Sequence, residues 1–295
     1  MKRILMVGCG DIALRVAGLL RASGHEAAAP YRLLGLVRSI ARHEILRQAG
    51  ILPVPGNLDD RQSLVRLGGL ADIVLHFAPP PGAGDPVSDT RTRNLLSALS
   101  RGALPRQIIY ISTSGVYGDC GGAQVSETHP INPQTSRAKL RISAEQQIRS
   151  WARRNGVQAV ILRVPGIYAA DRLPLDRLRA GSPAILAEQD SHTNHIHADD
   201  LARCVVAALQ HGKPNRVIHT SDDSHLKMGE YFDVVADAHG LPRPPRLPRA
   251  QVERSVSPMM WSFMNESRQL TNERMKKELK VKLRYPTVAD TLAAI

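Results

Sequence analysis

Several residue groups in this chain could do chemistry: the hydroxyl run Ser112-Thr113-Ser114, the pair His195 and His197, the acids Asp199-Asp200, and the turn Gly8-Cys9-Gly10-Asp11-Ile12-Ala13. Their surroundings decide which chemistry each can support. A serine nucleophile needs a glycine elbow, which Ser112 to Ser114 lack. Two histidines two apart on an extended run face one side, as metal ligands would, but no third ligand accompanies them; a structural role between lobes is expected. Asp199 and Asp200 precede an apolar helix, where capping accounts for them, and His76 inside an apolar run reads as a core histidine. Cys9, Cys120 and Cys204 lie far apart, without metal-ligand spacing, which fits a reducing compartment. No metal site is expected.

The glycine turn is different because of what flanks it. Lys2 to Val7 is an apolar run with a charged start, and Ile12, Val16, Leu19 and Leu20 recur behind the turn at helical spacing. Strand, glycine turn and helix in that order suit a dinucleotide. Gly8 permits a tight turn, Gly10 leaves room for a pyrophosphate, Ala13 lets the helix pack on the strand, and the helix N-terminus faces the phosphates. Asp11 sets a carboxylate close to that anion and is expected to point aside. Ile12 sits beside it in the first helical turn.

Elements that position such a site follow along the chain. Tyr31 to Val37 reads as a second strand, delayed by extra residues between Gly24 and Arg32. An acid closing that strand would accept from a ribose hydroxyl, whereas an arginine pairs with a 2′-phosphate. Arg38 stands there, with Arg42 a turn further on and Arg32 as a second candidate, so NADP is favoured over NAD. A helix over Ser39 to Ala49, a strand from Ile51, the turn Gly56-Asn57-Leu58-Asp59-Asp60 and a strand over Ala71 to Phe77 come next. Ala78, Pro79 and Pro80 at that strand's end would let a cofactor lie across the sheet's edge. Helix Thr90 to Leu99, strand Gln107 to Ile111, a helix to Arg154, strand Val157 to Leu162, helix Leu201 to Gln210 and strand Arg216 to Thr220 continue the alternation. The expected fold is α/β, a Rossmann-type doubly wound parallel sheet over 1–166 and 195–220, with a smaller C-terminal α/β substrate lobe over 167–194 and 221–295.

The chain has 295 residues and 43% hydrophobic content, enough for a large α/β domain with a smaller lobe. A formal charge of +12 raises the question of nucleic acid, but the basic residues are scattered, aromatics are 4%, and no nucleic-acid-binding motif is visible. No apolar run reaches the ~18 to 20 residues of a membrane span. Nothing resembles a secretory signal, and the expected location is cytoplasmic.

Together these segments resemble the extended and atypical branches of the short-chain dehydrogenase/reductase superfamily, the group of NAD-dependent epimerases and dehydratases. The resemblance rests on the glycine turn, Gly56-Asn57-Leu58-Asp59-Asp60, Ser112-Thr113-Ser114-Gly115-Val116-Tyr117-Gly118, Arg163-Val164-Pro165-Gly166-Ile167-Tyr168 and His195-Ile196-His197-Ala198-Asp199-Asp200. It implies that Thr113 polarises a substrate carbonyl and that Lys139, as the lysine of a Tyr-x-x-x-Lys pair, holds the nicotinamide ribose. Pro165 would run beside the nicotinamide. The tyrosine of that pair is absent: Thr135 stands four residues before Lys139. An aliphatic hydroxyl titrates far above a phenol and cannot carry the proton at neutral pH. Tyr168, ahead of Tyr117, is the candidate substitute, although packing beneath the cofactor accounts for both with greater weight. Two functions remain open: an NADP-dependent oxidoreductase or nucleotide-sugar epimerase/dehydratase-like enzyme acting on a small polar carbonyl or sugar-derived substrate, or a catalytically silent NADP(H) sensor. Relatives dimerise through the two long helices of the cofactor domain, here Thr90 to Leu99 and Thr135 to Arg154, which makes a homodimer the expectation by analogy.

Overall fold

Strand β1 (Lys2–Val7) ends in four consecutive buried residues, Ile4 to Val7. A strand apolar on both faces belongs inside a parallel sheet covered by helices on two sides. That is its place in this computed structural model, which describes residues 1–22, 31–82 and 84–294. Helix α1 (Asp11–Ala22) follows, then β2 (Tyr31–Val37), α2 (His43–Gln48), β3 (Ile51–Pro55), β4 (Ile73–His76), α3 (Thr90–Leu99) and β5 (Gln107–Thr113). After the two-residue strand β6 (Gln124–Val125) come α4 (Ser136–Asn155), β7 (Gln158–Val164), β8 (Gly166–Tyr168), α5 (Leu175–Arg179), β9 (Ala184–Ile185), β10 (His195–His197), α6 (Ala198–His211) and β11 (Arg216–His219). The remainder holds α7 (Met228–Ala238), β12 (Arg246–Leu247), α8 (Arg249–Ser255), α9 (Pro258–Met264), β13 (Gln269–Leu270), α10 (Glu273–Glu278) and α11 (Val288–Leu292).

Seven of these strands form one parallel sheet in the order β11-β7-β5-β4-β1-β2-β3. The strand order reverses between β1 and β4, the switch point at whose carboxyl edge open α/β sheets bind ligands. One face is covered by α1, α2 and α6 through a cluster containing Val16, Leu46, Leu201 and Val205; the other is covered by α3 and α4 through Leu95, Leu99, Ile148 and Trp151. The fold is the doubly wound Rossmann type. Residues 23–30, which contain most of the insertion expected before β2, lie outside the described residues.

A smaller lobe gathers on Tyr168, Leu178, Phe232, Val235, Val252 and Met264. Helix α10, although it lies within the C-terminal stretch expected to form that lobe, packs elsewhere. Met275 of α10, with Leu279 and Val281 behind it, joins the sheet cluster of Val205 and Cys204. These apolar residues seat the stretch against the β11 end of the sheet, while the exposed Lys276 and Lys277 pair with Asp223 and Glu273.

Candidate active site

At the switch point a cavity of about 570 Å³ opens along the carboxyl ends of β1, β2 and β4, within the usual ~300 to 1,000 Å³ for small-molecule sites. Gly8, at φ +94°, turns the chain into α1; a Cβ there would stand 2.5 Å from the Ala78 nitrogen. Only glycine fits. A Cβ on Gly10 would meet nothing within 4 Å, so the main chain there is open to a ligand. Gly8, Gly10, Asp11 and Ile12 all line the cavity, as do Arg38 at the end of β2 and Arg42 in the following turn. Asn57 and Leu58 form another wall, and Ala78 and Pro79 close the floor. These residues fit a dinucleotide: backbone N–H groups at a helix N-terminus for the pyrophosphate, and cations with no acid at the ribose end.

Asp11 stays on the cavity wall, but its carboxylate is paired. Its carboxylate accepts from Arg15 Nε at 2.9 Å and from Arg172 Nη1 at 3.0 Å. Arg172, which also lines the cavity, follows β8, so the pair joins the smaller lobe to the glycine turn. Arg32 is exposed, at the opposite, amino end of β2, paired in register with Arg3. A parallel strand presents its ligand edge at the carboxyl end only, so Arg32 is no phosphate partner. Pro80 is buried and Pro165 half-buried, and neither lines the cavity; Ile167 does so in place of Pro165.

The largest difference from the sequence expectation lies on α4. Thr135 is the helix N-cap, its hydroxyl accepting from Ala138 N at 3.2 Å. Lys139 is exposed and away from the cavity, whereas Arg141 lines it, donating to Ile111 O at 2.6 Å and Tyr110 Oη at 3.0 Å. Two residues along a helix are about 200° around its axis, so Lys139 and Arg141 cannot share a side. Arg137, one turn before Arg141, shares its side of the helix at i, i+4 spacing but is exposed and lies outside the cavity lining. A threonine after Asn132-Pro133 carries a capping signal, and phasing α4 from it would have found this pair.

Glu145, one turn past Arg141, fixes that phase. Its carboxylate accepts from Ser112 Oγ and takes both Nε and Nη2 of Arg163, at 3.1 and 2.7 Å. Arg163 Nη1 donates to Tyr117 Oη at 2.7 Å, Tyr117 meets His219 Nε2 at 2.6 Å, and His219 Nδ1 meets the Thr271 carbonyl at 2.9 Å. A carbonyl needs a donor, so Nδ1 carries the ring proton and Nε2 accepts from the phenol. Burial pushes the Tyr117 hydroxyl up to about 12 and His219 down to about 3. This chain of bonds holds β5, α4, β7 and β11 together, and it occupies the Tyr117 proton.

Tyr168 is not a cavity residue either. It is 1% exposed, and burial, with the neighbouring Asp222 carboxyl, raises its pKa well above that of a free phenol. Its ring lies edge-on to His195 and His197, 6.0 and 5.4 Å between centroids. Those histidines bridge as expected: His195 stacks on Tyr231 at 4.1 Å, and His197 packs on Tyr285 at 3.9 Å. His197 Nδ1, rather than either aspartate, caps α6 by accepting from Asp199 N. Asp199 pairs with Arg15, and the buried Asp200 accepts from Arg284 N and Tyr285 N, both at 2.8 Å. His76 is a core histidine bound to Thr92 Oγ1 at 3.0 Å and pushed down to about 3 by burial. No group of three or more metal-ligating side chains exists among the described residues.

Thr113 closes β5 half-buried, its hydroxyl accepting from Gly115 N at 3.2 Å. It does not line the nucleotide cavity but stands past its inner end, where β5 runs into the turn that α4 packs against. A Cβ on Gly115 would lie 3.6 Å from Thr113 Oγ1 and 4.0 Å from Glu266 Oε2. Glu266 in turn accepts from Arg268 Nη1 at 2.8 Å. Arg91 completes the cavity wall, ion-paired to Asp59 at 2.7 Å.

The fold, the glycine turn and the cavity at the switch point define a Rossmann-type protein with the architecture of the short-chain dehydrogenase/reductases. Residues 15–219 match the NAD dependent epimerase/dehydratase family, and the chain belongs to that family. It is 23% identical over 161 residues to a putative UDP-glucose 4-epimerase of Methanocaldococcus jannaschii, covering 51% of this chain and 52% of that protein. Against dTDP-glucose 4,6-dehydratase of Mycobacterium tuberculosis it is 26% identical, covering 58% of this chain and 57% of the relative. The chain thus spans about half the length of these curated relatives. A solved structure of a functionally unknown conserved protein from Silicibacter pomeroyi superposes with TM-score 0.79 at 27% identity, over 100% of this chain and 98% of the other. No helix among the described residues is long and apolar enough to cross a membrane.

Proposed function

We propose that this protein is an NADP(H)-dependent enzyme of the oxidoreductase or epimerase/dehydratase kind, acting on a small polar carbonyl or sugar-derived substrate without the tyrosine-lysine pair. The observation that carries the cofactor reading is the ribose end of the cavity, where Arg38 and Arg42 stand and no carboxylate closes β2. Arg42 also donates to the Cys9 carbonyl at 2.9 Å, which ties it to the glycine turn. When bound, the nicotinamide supplies the hydride chemistry. Arg141 takes the ribose-holding role expected of Lys139, and Thr113 orients a substrate oxygen.

A second reading is a catalytically silent NADP(H) sensor. It is favoured by the hydroxyls of the two candidate tyrosines, Tyr117 tied to Arg163 and His219 and Tyr168 buried beside Asp222. General acid–base catalysis contributes typically ~10²- to 10⁴-fold, so an enzyme lacking it remains measurable.

The test is a fluorescence titration with NADPH and NADH on wild type and Arg38→Ala. NADPH is expected to bind more tightly than NADH, and Arg38→Ala to bring the two together. Equal affinities in the wild type would refute the phosphate site. Binding of neither nucleotide would refute both readings. Hydride transfer to a carbonyl panel then separates enzyme from sensor.

A further inference from the structure

Two arginines one turn apart on one side of a helix repel each other, and such i, i+4 like-charge pairs destabilise a helix. The well-covered guanidiniums near the site have carboxylate partners: Arg163 with Glu145, Arg91 with Asp59, Arg268 with Glu266. Arg141 has only the neutral oxygens of Ile111 and Tyr110. Arg137 has less. Among the described residues its guanidinium makes no hydrogen bond and no ion pair, and it lies 4.4 Å over the Phe263 ring. Phe263 belongs to α9 of the smaller lobe and is 45% exposed. Arg137 therefore stands where α4 meets the smaller lobe, over an aromatic face, with its donors unused. Burial and the Arg141 charge both disfavour its charged form and hold its pKa below the usual arginine value. Glu266, the nearest acid to act on it, is already engaged by Arg268.

A position that breaks the local charge rule without an internal partner is the kind that serves a ligand. We propose that Arg137, supported by Arg141, is the anchor for a carboxylate on the small-molecule substrate, placed beside Thr113 at the inner end of the nucleotide cavity. A guanidinium lying over a ring spends none of its N–H donors there, and a planar carboxylate can meet its fork with two parallel hydrogen bonds. The anion would neutralise the Arg137–Arg141 repulsion at the same time. This reading rests on the proposed NADP(H) site and deepens it: on α4 the place of a proton-carrying phenol is taken by a permanent cation. The substrate class becomes carboxylate-bearing.

The test uses oxalate as the probe, titrated calorimetrically into the full-length protein, nucleotide-free and NADPH-loaded, with inorganic phosphate as the second anion. Wild type is expected to bind oxalate more tightly than phosphate. Arg137→Met should weaken oxalate at least tenfold, Arg137→Lys should keep part of the affinity, and Lys139→Met, on the other side of α4, should change nothing. NADPH affinity, measured separately on Arg137→Met, should stay within twofold. Oxalate affinity unchanged in Arg137→Met, or no oxalate binding by wild type in either state, overturns the proposal. So does oxalate binding to the nucleotide-free protein that is lost in Arg38→Ala and kept in Arg137→Met, because the anion then occupies the nucleotide-phosphate site. Failure of NADPH to bind, with oxalate still dependent on Arg137, sinks the cofactor reading and leaves the anchor standing.

Discussion

Asp222 is 4% exposed and sits where β11 leads into the smaller lobe; removing its charge should stabilise the protein at neutral and alkaline pH. Its Oδ1 accepts from Ser224 N at 3.0 Å, while Oδ2 has no partner with hydrogen-bond geometry. Burial raises its pKa from 3.8 to about 7. In the unfolded chain the carboxyl ionises near its ordinary value, so between pH 4 and 7 the unfolded state has lost a proton that the folded state keeps. Stability from this group therefore falls as pH rises across that window and stays low above it. The shift of about three units corresponds to about 4 kcal/mol at most, at ~1.36 kcal/mol per unit. Asp222→Asn is a neutral mimic of the protonated form. Urea unfolding at pH 5 and pH 8 should show the variant ahead of wild type by up to about 4 kcal/mol at pH 8, falling to under about 2 kcal/mol at pH 5. The comparison must be made between the two proteins, since His76, His195 and His219 act in the opposite sense. Burial lowers them to about 3, 4 and 3, so their contribution is lost as pH falls below the unfolded value near 6.5. If the two proteins keep a constant stability difference from pH 5 to pH 8, Asp222 is ionised throughout and the reasoning is wrong.

Further outcomes follow from the site. Glu145→Gln leaves the buried Arg163 cation without its carboxylate and should cost about 3 to 5 kcal/mol in urea unfolding; a loss under about 1 kcal/mol would show that Arg163 re-pairs. Arg141→Ala should weaken NADPH binding roughly tenfold or more, the scale of one charge-assisted hydrogen bond, while Lys139→Ala stays within twofold in the same fluorescence titration. The reverse order would restore Lys139 as the ribose partner. Asp11→Asn removes a carboxylate from the pyrophosphate end and releases Arg172, so NADPH should bind several-fold tighter at low salt, with the gain shrinking as salt screens the charges; weaker binding would mean that the Arg172 contact organises the site.

Sequence alone carries much of this protein because some of its signals are local. The strand over Tyr31–Val37 and helix Thr90–Leu99 coincide with the expected spans. Apolar runs bounded by glycine, proline and capping residues are set by period and backbone freedom, which need no knowledge of partners. The same holds for the glycine turn and for the cavity walls at Arg38, Asn57 and Ala78, each of which stands one or two residues past the end of a strand. In an α/β sheet a strand's carboxyl end is where a ligand can sit, so chain position already implies site position.

Tertiary structure decided what depends on angle, on burial, or on residues distant in sequence. Lys139 and Arg141 are both basic and near the same helix start, and only the phase of α4 separates the exposed one from the one in the cavity. That phase is imposed by Glu145 bonding Arg163, 18 positions on. Tyr168 was a candidate by its place after Pro165 and Gly166, yet the turn into the smaller lobe carries its hydroxyl to Asp222. The pairing of Asp11 with Arg172, 161 positions apart, and the stacking of Arg137 on Phe263 leave no trace in local pattern. A sequence specifies directly what each residue can do with its near neighbours; which charges finally face one another is set by how the helices rotate to bury their apolar sides.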